Sequence, residues 1–332
     1  MLATGVVPTR QKGGRMDVTA TVSARARAEF IALTGARLGE LTAAVPEPLG
    51  TPVRALAERP GKRLRSVLLH AAAVGATNPH LVRLAALVEL LHLASLLHDD
   101  VVDRGTSRRG APSARATVGD ELATLAGLAC FALAGREAAE LGDGLETVVA
   151  RAAAGLAYGE ILDVERAFDI DLSLPDYLEL VERKTGDLFR LSCSLGAAAA
   201  GADSGTLAAS GRFGAELGVA FQILDDCLDL ATIESGKPVG TDHLLGLFGA
   251  PTLFALAADG TGELATLLLD PAFDRDDLPA VRAHVTASGG LAAAHELAQD
   301  RYQIALAALD GVDSPRRTSL TEVAAMIWPE SA

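Results

Sequence analysis

The stretch ELLHLASLLHDDVVDRGTSRRG, residues 89–110, changes character twice: an apolar run gives way to three aspartates, and these to a glycine- and arginine-rich turn. Apolar residues in this rhythm make a buried helix. Asp99 and Asp103 are four apart, so they stand one turn above the other on one face. Two carboxylates so placed repel unless a cation lies between them, and oxygen ligands at this spacing suit Mg²⁺. The same face runs back through Leu96, His92 and Glu89, a polar stripe in an otherwise greasy helix. Taken alone, Asp99, Asp100 and Asp103 read more readily as the solvated end of a helix.

A second stretch, GVAFQILDDCLDL at residues 218–230, changes that reading because it repeats the pattern with Asp225, Asp226 and Asp229. Two such clusters, each closing an apolar helical run and about 125 residues apart, are hard to explain as two surface faces. Facing each other across a helical bundle, they would cradle several Mg²⁺ ions around a diphosphate.

The rest of the chain is helical in rhythm, with no convincing alternating strand. Helices are expected over 17–44, 62–76, 79–103, 115–135, 143–165, 175–200 and 211–231. Shorter ones interrupted at Pro251, Pro271 and Pro279 run on to Trp328. Breaks fall at Pro46–Pro52, at 104–113 and at the loop SGKPVGTD. Pro175 suits the first turn of its helix. No repeat or composition shift marks a linker, so residues 17–332 read as one all-α domain behind a disordered leader, 1–16, with Met16 as a possible start.

Composition sets the chemistry's terms. Of 332 residues, 49% are hydrophobic, 22% charged and 4% aromatic, which excludes disordered, collagen-like and disulfide-stapled chains and favours an aliphatic, helical core. A net charge of −14 argues against nucleic acid or anionic membrane as partner. The uncharged apolar stretch Leu122–Gly135 is shorter than a membrane span. Cys130, Cys193 and Cys227 lack metal or redox spacing and read as buried hydrophobes in a reducing cytoplasm. An anionic substrate would need local cations. Gly61-Lys62-Arg63-Leu64-Arg65 supplies them at a helix start, where Lys62 and Arg65 would share a face and backbone N–H groups favour an anion. Arg108, Arg109, Lys184 beside Thr185, and Lys237 complete a set suited to phosphates.

These residues together resemble the trans-isoprenyl diphosphate synthases, or polyprenyl synthetases, of medium or long chain, from about Pro48 to Leu309. The resemblance implies a large antiparallel helical bundle of the isoprenoid synthase type around a deep central cavity, working as a homodimer. It implies Mg²⁺, three ions per site, on Asp99, Asp100, Asp103, Asp225, Asp226 and Asp229. The substrates would be isopentenyl diphosphate, contacted by Lys62, Arg65, His92 and Arg109, and an allylic diphosphate held by Arg108. Lys184, Thr185, Gln222 and Lys237 fall at functional positions too, and the reaction itself would rest on Asp99, Asp103, Asp225, Lys184, Thr185 and Gln222. Ionisation of the allylic C–O bond, attack by the C5 double bond and loss of a proton need no protein nucleophile, and neither GxSxG, HExxH nor a P-loop is present. The chain departs from the family pattern at Glu160 (often Gln), at Gly127-Leu128 (often Gly-Asp), in GLFGAPT after Lys237, which lacks a second basic residue, and in its non-basic tail WPESA.

Helical rise provides a ruler for the product. Ser95, Leu91 and Val88 lie roughly 6, 12 and 16 Å below Asp99. In the family a bulky aromatic just before the first aspartate stops growth, and Ala94 and Ser95 are small, which suggests an open upper floor and a product longer than C15, in the range C20 to C35 or beyond. Small residues near 188–202 and 122–134 could pack against a second copy. Two alternatives are a class I terpene cyclase, which shares the first motif but lines its pocket with aromatics, and a non-catalytic subunit of a heteromeric synthase.

Overall fold

The computed structural model describes residues 18–59, 61–231 and 240–328; the expected leader, Lys237 and the last four residues lie outside them. It is a bundle of fifteen described α-helices: α1 (Val18–Ala43), α2 (Gly50–Ala57), α3 (Leu64–Ala72), α4 (Pro79–Val102), α5 (Ala114–Val118), α6 (Asp120–Leu141), α7 (Leu145–Glu165), α8 (Leu174–Val181), α9 (Asp187–Ala199), α10 (Ser204–Ala231), α11 (Ala250–Ala258), α12 (Glu263–Leu268), α13 (Leu278–Ala287), α14 (Gly290–Ala308) and α15 (Ser314–Ile327). A single π-helical turn, Glu182–Gly186, joins α8 to α9 without a break.

Most expected helices are present, and the differences have local causes. Pro52, Pro251 and Pro279 lie in the first turns of helices instead of interrupting them, because the N–H that proline lacks has no partner in the first turn anyway, whereas Pro271 does fall between α12 and α13. The expected helix 115–135 is split at Gly119, whose φ of 87° only glycine adopts freely, and its second part runs on to Leu141. The helix expected from 211 begins at Ser204. At the other end of the bundle α3 starts at Leu64, after Arg63 in a left-handed turn (φ 50°), so Lys62 precedes the helix and does not share a helical face with Arg65. Among the described residues the only strands are Ser107–Arg108 and Ala111–Pro112, an antiparallel ribbon turned by Arg109 and Gly110 at φ 52° and 73°.

Three apolar cores fill the bundle. One lies among α1, α2, α4, α6, α7 and α9, one among α8, α10, α11, α12, α13 and α14, and one among α3, α9, α10, α14 and α15. Small residues let the middle helices touch backbone to backbone. A Cβ on Gly196 would lie 2.2 Å from the Leu69 carbonyl oxygen, and one on Gly214 2.5 Å from that of Phe189. Many of the small residues of 188–202 therefore pack inside the chain, against α3 and α10, while Ala198, Ala199 and Ala200 are exposed. Cys130, Cys193 and Cys227 are buried free thiols, as expected. Both α4 and α6 are long and apolar enough to cross a membrane by length and composition, more than the reading of Leu122–Gly135 allowed, yet 78% of α4's most apolar window is buried in the bundle.

Glu137 on α6 is fully buried and accepts hydrogen bonds from Arg37 on α1 and Arg83 on α4. Stripping both arginines leaves a carboxylate in the core, whereas stripping Glu137 leaves two guanidiniums that reach water. The double substitution Arg37→Ala/Arg83→Ala should therefore cost about 3–5 kcal/mol in urea unfolding, and Glu137→Ala clearly less.

Candidate active site

The C-terminal ends of α4 and α10 bring their aspartates to one cavity of about 120 Å³, lined by Asp103, Asp226 and Asp229 together with Lys184 and Gln222. Asp100 is fully buried, and its Oδ1 accepts a hydrogen bond from Arg108 Nε at 2.7 Å. The two-residue turn of the ribbon sends the arginine pair opposite ways. Arg108 points at the first acidic cluster, while Arg109 donates to the Arg59 carbonyl at 2.6 Å and lies 3.3 Å from where a Cβ on Gly61 would be. Any larger residue at 61 would press on that guanidinium.

Beyond Gly61 lies a cluster of cationic side chains. Arg63, which the sequence reading left without a role, turns inward to Glu89 at 2.8 Å; Ser66 donates to the same carboxylate at 2.7 Å. Both charges are nearly buried, at 7% and 2% exposure. Arg65 stacks over the Phe189 ring, 5.4 Å from its centroid, and burial lowers its guanidinium to about 10. Burial, then Arg65, Arg109, Arg108 and Arg63, push His92 well below its ordinary value, so it is a neutral imidazole. Its Nδ1 and Arg65 Nε are buried without a hydrogen-bond partner. Lys62 is exposed.

The acidic side is larger than its two motifs suggested. Lys184 sits in the π-turn, ion-paired to Asp163 and 3.6 Å from Glu160. Burial works against its charge, but Asp99, Asp163, Glu160 and Asp103 hold the ammonium well above its usual range. Burial, followed by the nearby Asp99 charge, drives Glu160 up to about 9, so it is a carboxylic acid at neutral pH. Burial pushes Asp103 to about 6, with Asp99, Asp163 and Asp242 adding to it, and Asp229 to about 7, with Asp242 adding. Asp226 also rises to about 7 through burial, opposed by donors from Tyr177 and Gln222.

Four oxygens of this cluster, on Asp99, Asp100, Asp103 and Glu160, are buried with no hydrogen-bond partner. Buried carboxylate oxygens without a partner are a donor set that fits a hard divalent cation. Among the described residues no three acidic, histidine or cysteine side chains stand close enough to hold such an ion by themselves, so ligand oxygens would have to complete its shell.

Residues 46–283 match the family described as Polyprenyl synthetase. The chain belongs to the polyprenyl synthetase family. It is 38% identical over 257 residues to a probable mitochondrial hexaprenyl pyrophosphate synthase of Neurospora crassa, an alignment covering 73% of this chain and 56% of that longer protein. The crystal structure of a decaprenyl diphosphate synthase from Rhodobacter capsulatus superposes with a TM-score of 0.84 at 32% identity, covering 92% of this chain and 98% of that one. A polyprenyl synthase from Caulobacter crescentus, crystallised with calcium and isoprenyl diphosphate, gives 0.83 at 33% identity over 96% and 98%.

Within this polyprenyl synthetase, the structure brings together Asp99, Asp100, Asp103, Arg108, Lys184, Gln222, Asp226 and Asp229, with Thr185 buried behind Gln222 and Asp225 exposed on α10. The expected floor differs. Val88, Leu91 and Ala94 are completely buried in the first core, which also holds Leu156, Leu188, Leu191 and Leu195, so the shaft below Asp99 is filled with side chains and not open. Ser95 keeps partial exposure and donates to the His92 carbonyl at 2.9 Å. Sequence reasoning missed Asp163, Asp242 and Tyr177. Asp163 follows Glu160 by three residues on α7, a spacing that marks a shared face. Asp242 was in view at the end of SGKPVGTD.

A neutral Glu160 can do what an amide does, offering a proton to Asp99. Glu160→Gln should leave turnover within about threefold of the parent, while Glu160→Ala, which removes the donor, should cost about tenfold or more in kcat.

Proposed function

We propose that the protein is a long-chain trans-polyprenyl diphosphate synthase, joining isopentenyl diphosphate head-to-tail to an allylic diphosphate. What carries the reading is that aspartates from both motifs, Asp103 with Asp226 and Asp229, share one cavity with Lys184 and Gln222, while a separate cluster of arginines surrounds His92. The acidic side would take the allylic diphosphate through Mg²⁺ on Asp99, Asp100, Asp103, Asp225 and Asp229, with Arg108 and Lys184 contacting it directly. Bound there, Mg²⁺ would neutralise the departing diphosphate as a Lewis acid. The cationic side, Lys62, Arg65, His92 and Arg109, would hold the C5 diphosphate without metal. His92 is suited to that work as a neutral donor and acceptor beside three guanidiniums. Thr185 and Gln222 would face the cation left by ionisation with uncharged oxygens, which steady it without trapping it.

The relatives' names support a product longer than C15, and no aromatic stands at 94 or 95 to stop growth. Growth would have to displace the packed leucines beside α4. Cores that share α9 and α10 support a single catalytic domain, and free buried thiols support a reducing, cytoplasmic setting. Leu125 and Leu128 on α6 and Tyr158, Ile161 and Val164 on α7 are 44–59% exposed, an apolar face suited to a second copy in a homodimer.

Incubation with Mg²⁺, isopentenyl diphosphate and allylic primers of increasing length tests the reading. Elongated diphosphates support it. Cyclised hydrocarbons would indicate a terpene cyclase, and no turnover a silent subunit. Asp99→Ala or Asp225→Ala should lower kcat by about a thousandfold or more; near-parental rates in either would sink metal-assisted ionisation. Ala94→Phe or Ser95→Phe should shorten the product on chromatography, and an unchanged profile would show that α4 does not set length.

A further inference from the structure

A chain of hydrogen bonds runs from α8 through α10 to the π-turn. Tyr177 Oη donates to Asp226 Oδ2 at 2.5 Å, Gln222 Nε2 donates to Asp226 Oδ1 at 3.0 Å, and Thr185 Oγ1 donates to Gln222 Oε1 at 2.8 Å. Both oxygens of Asp226 are thus engaged, unlike the orphaned oxygens of the first cluster.

The direction of this chain follows from donor and acceptor chemistry. A carboxylate accepts only, so the Gln222 amide must turn its NH₂ toward Asp226 and its carbonyl toward Thr185. A carbonyl also accepts only, so Thr185 gives up its single proton, and its oxygen keeps lone pairs for anything beyond. The carboxylate at the root is packed closely against Gly249, where an added Cβ would lie 2.5 Å from Asp226 Oδ2, and Tyr177, which holds it, is 3% exposed. Gln222, Tyr177 and Asp226 all line the site cavity.

We infer that Tyr177 is a positioning residue that, by pinning Asp226, fixes the polarity of Gln222 and Thr185 so that oxygen lone pairs, not N–H groups, face the carbon that becomes cationic. This rests on the prenyl-transfer reading above. It assigns Tyr177 a part in catalysis that its position on α8, outside every acidic or basic motif, does not suggest. With the root carboxylate loosened or replaced, the amide is free to flip and present a positive dipole end to the cation.

The test compares two unreactive probes in the presence of Mg²⁺. One is an aza analogue of the allylic diphosphate, whose ammonium nitrogen replaces the carbon that ionises. The other is the uncharged-tail thio analogue, with sulfur in place of the bridging oxygen. In Tyr177→Phe and in Asp226→Asn, affinity for the aza probe should fall about tenfold, the scale of one misdirected hydrogen bond to a charge, while the thio probe stays within about twofold. In Tyr177→Phe, kcat should fall with KM for both substrates unchanged, and adding Gln222→Leu should cause no loss beyond that of Gln222→Leu alone. Equal weakening of both probes, unchanged aza affinity, or additive losses in the double variant would each overturn the inference. A parent enzyme that elongates normally while the variants match it in every readout sinks this inference alone. A parent that neither binds the probes nor elongates removes the functional reading and takes this inference with it.

Discussion

Carboxylates gathered out of water are the constraint to which the rest of this site responds. The ends of α4, α7 and α10 deliver Asp99, Asp100, Asp103, Glu160, Asp163, Asp226 and Asp229 to one region, with Asp242 alongside. Like charges at this density cannot all stay ionised unless something compensates them. The chain compensates in three ways. Glu160 keeps its proton, Arg108 and Lys184 bring positive charge, and Tyr177 and Gln222 bring neutral donors. What is left uncompensated, one bare oxygen each on Asp99, Asp100 and Asp103, is a donor set that fits a divalent cation.

The opposite problem is solved a few residues away on the same helix. Arg63, Arg65 and Arg109 crowd His92, and Glu89 is the buried counter-ion that lets them do so. Helix α4 therefore carries an anionic anchor for cations at Glu89 and an acidic cluster at its C-terminus, about ten residues or roughly 15 Å apart along the axis. That distance separates the group of carboxylates proposed to hold a diphosphate through metal from the group of cations proposed to hold one directly.

Much of this was legible in the sequence because it was periodic or local. The helices followed from apolar spacing, and the two acidic clusters from their repeated pattern at the ends of apolar runs. Three kinds of feature were not legible. Prolines that open helices look the same as prolines that break them, as at Pro251 and Pro279. The π-turn at Glu182–Gly186 leaves no compositional mark, yet it sets where Lys184 and Thr185 point. Contacts between distant segments, such as Tyr177 with Asp226 or Arg63 with Glu89, depend on tertiary placement that no spacing rule encodes. The filled shaft below Ala94 belongs with these: small residues at 94 and 95 announce room, but leucines carried by other helices occupy it.

The π-turn has one more implication, for how this family can tolerate change in length. Its wide turn takes up one residue more than an ordinary α-turn while the rod on either side keeps its angular register. Deleting a single residue between Glu182 and Gly186 would let the turn relax to ordinary α-helical pitch with α8 and α9 little rotated about the common axis. Tyr177 would keep its aspartate, and the loss would be felt inside the turn, where Lys184 and Thr185 would be aimed elsewhere.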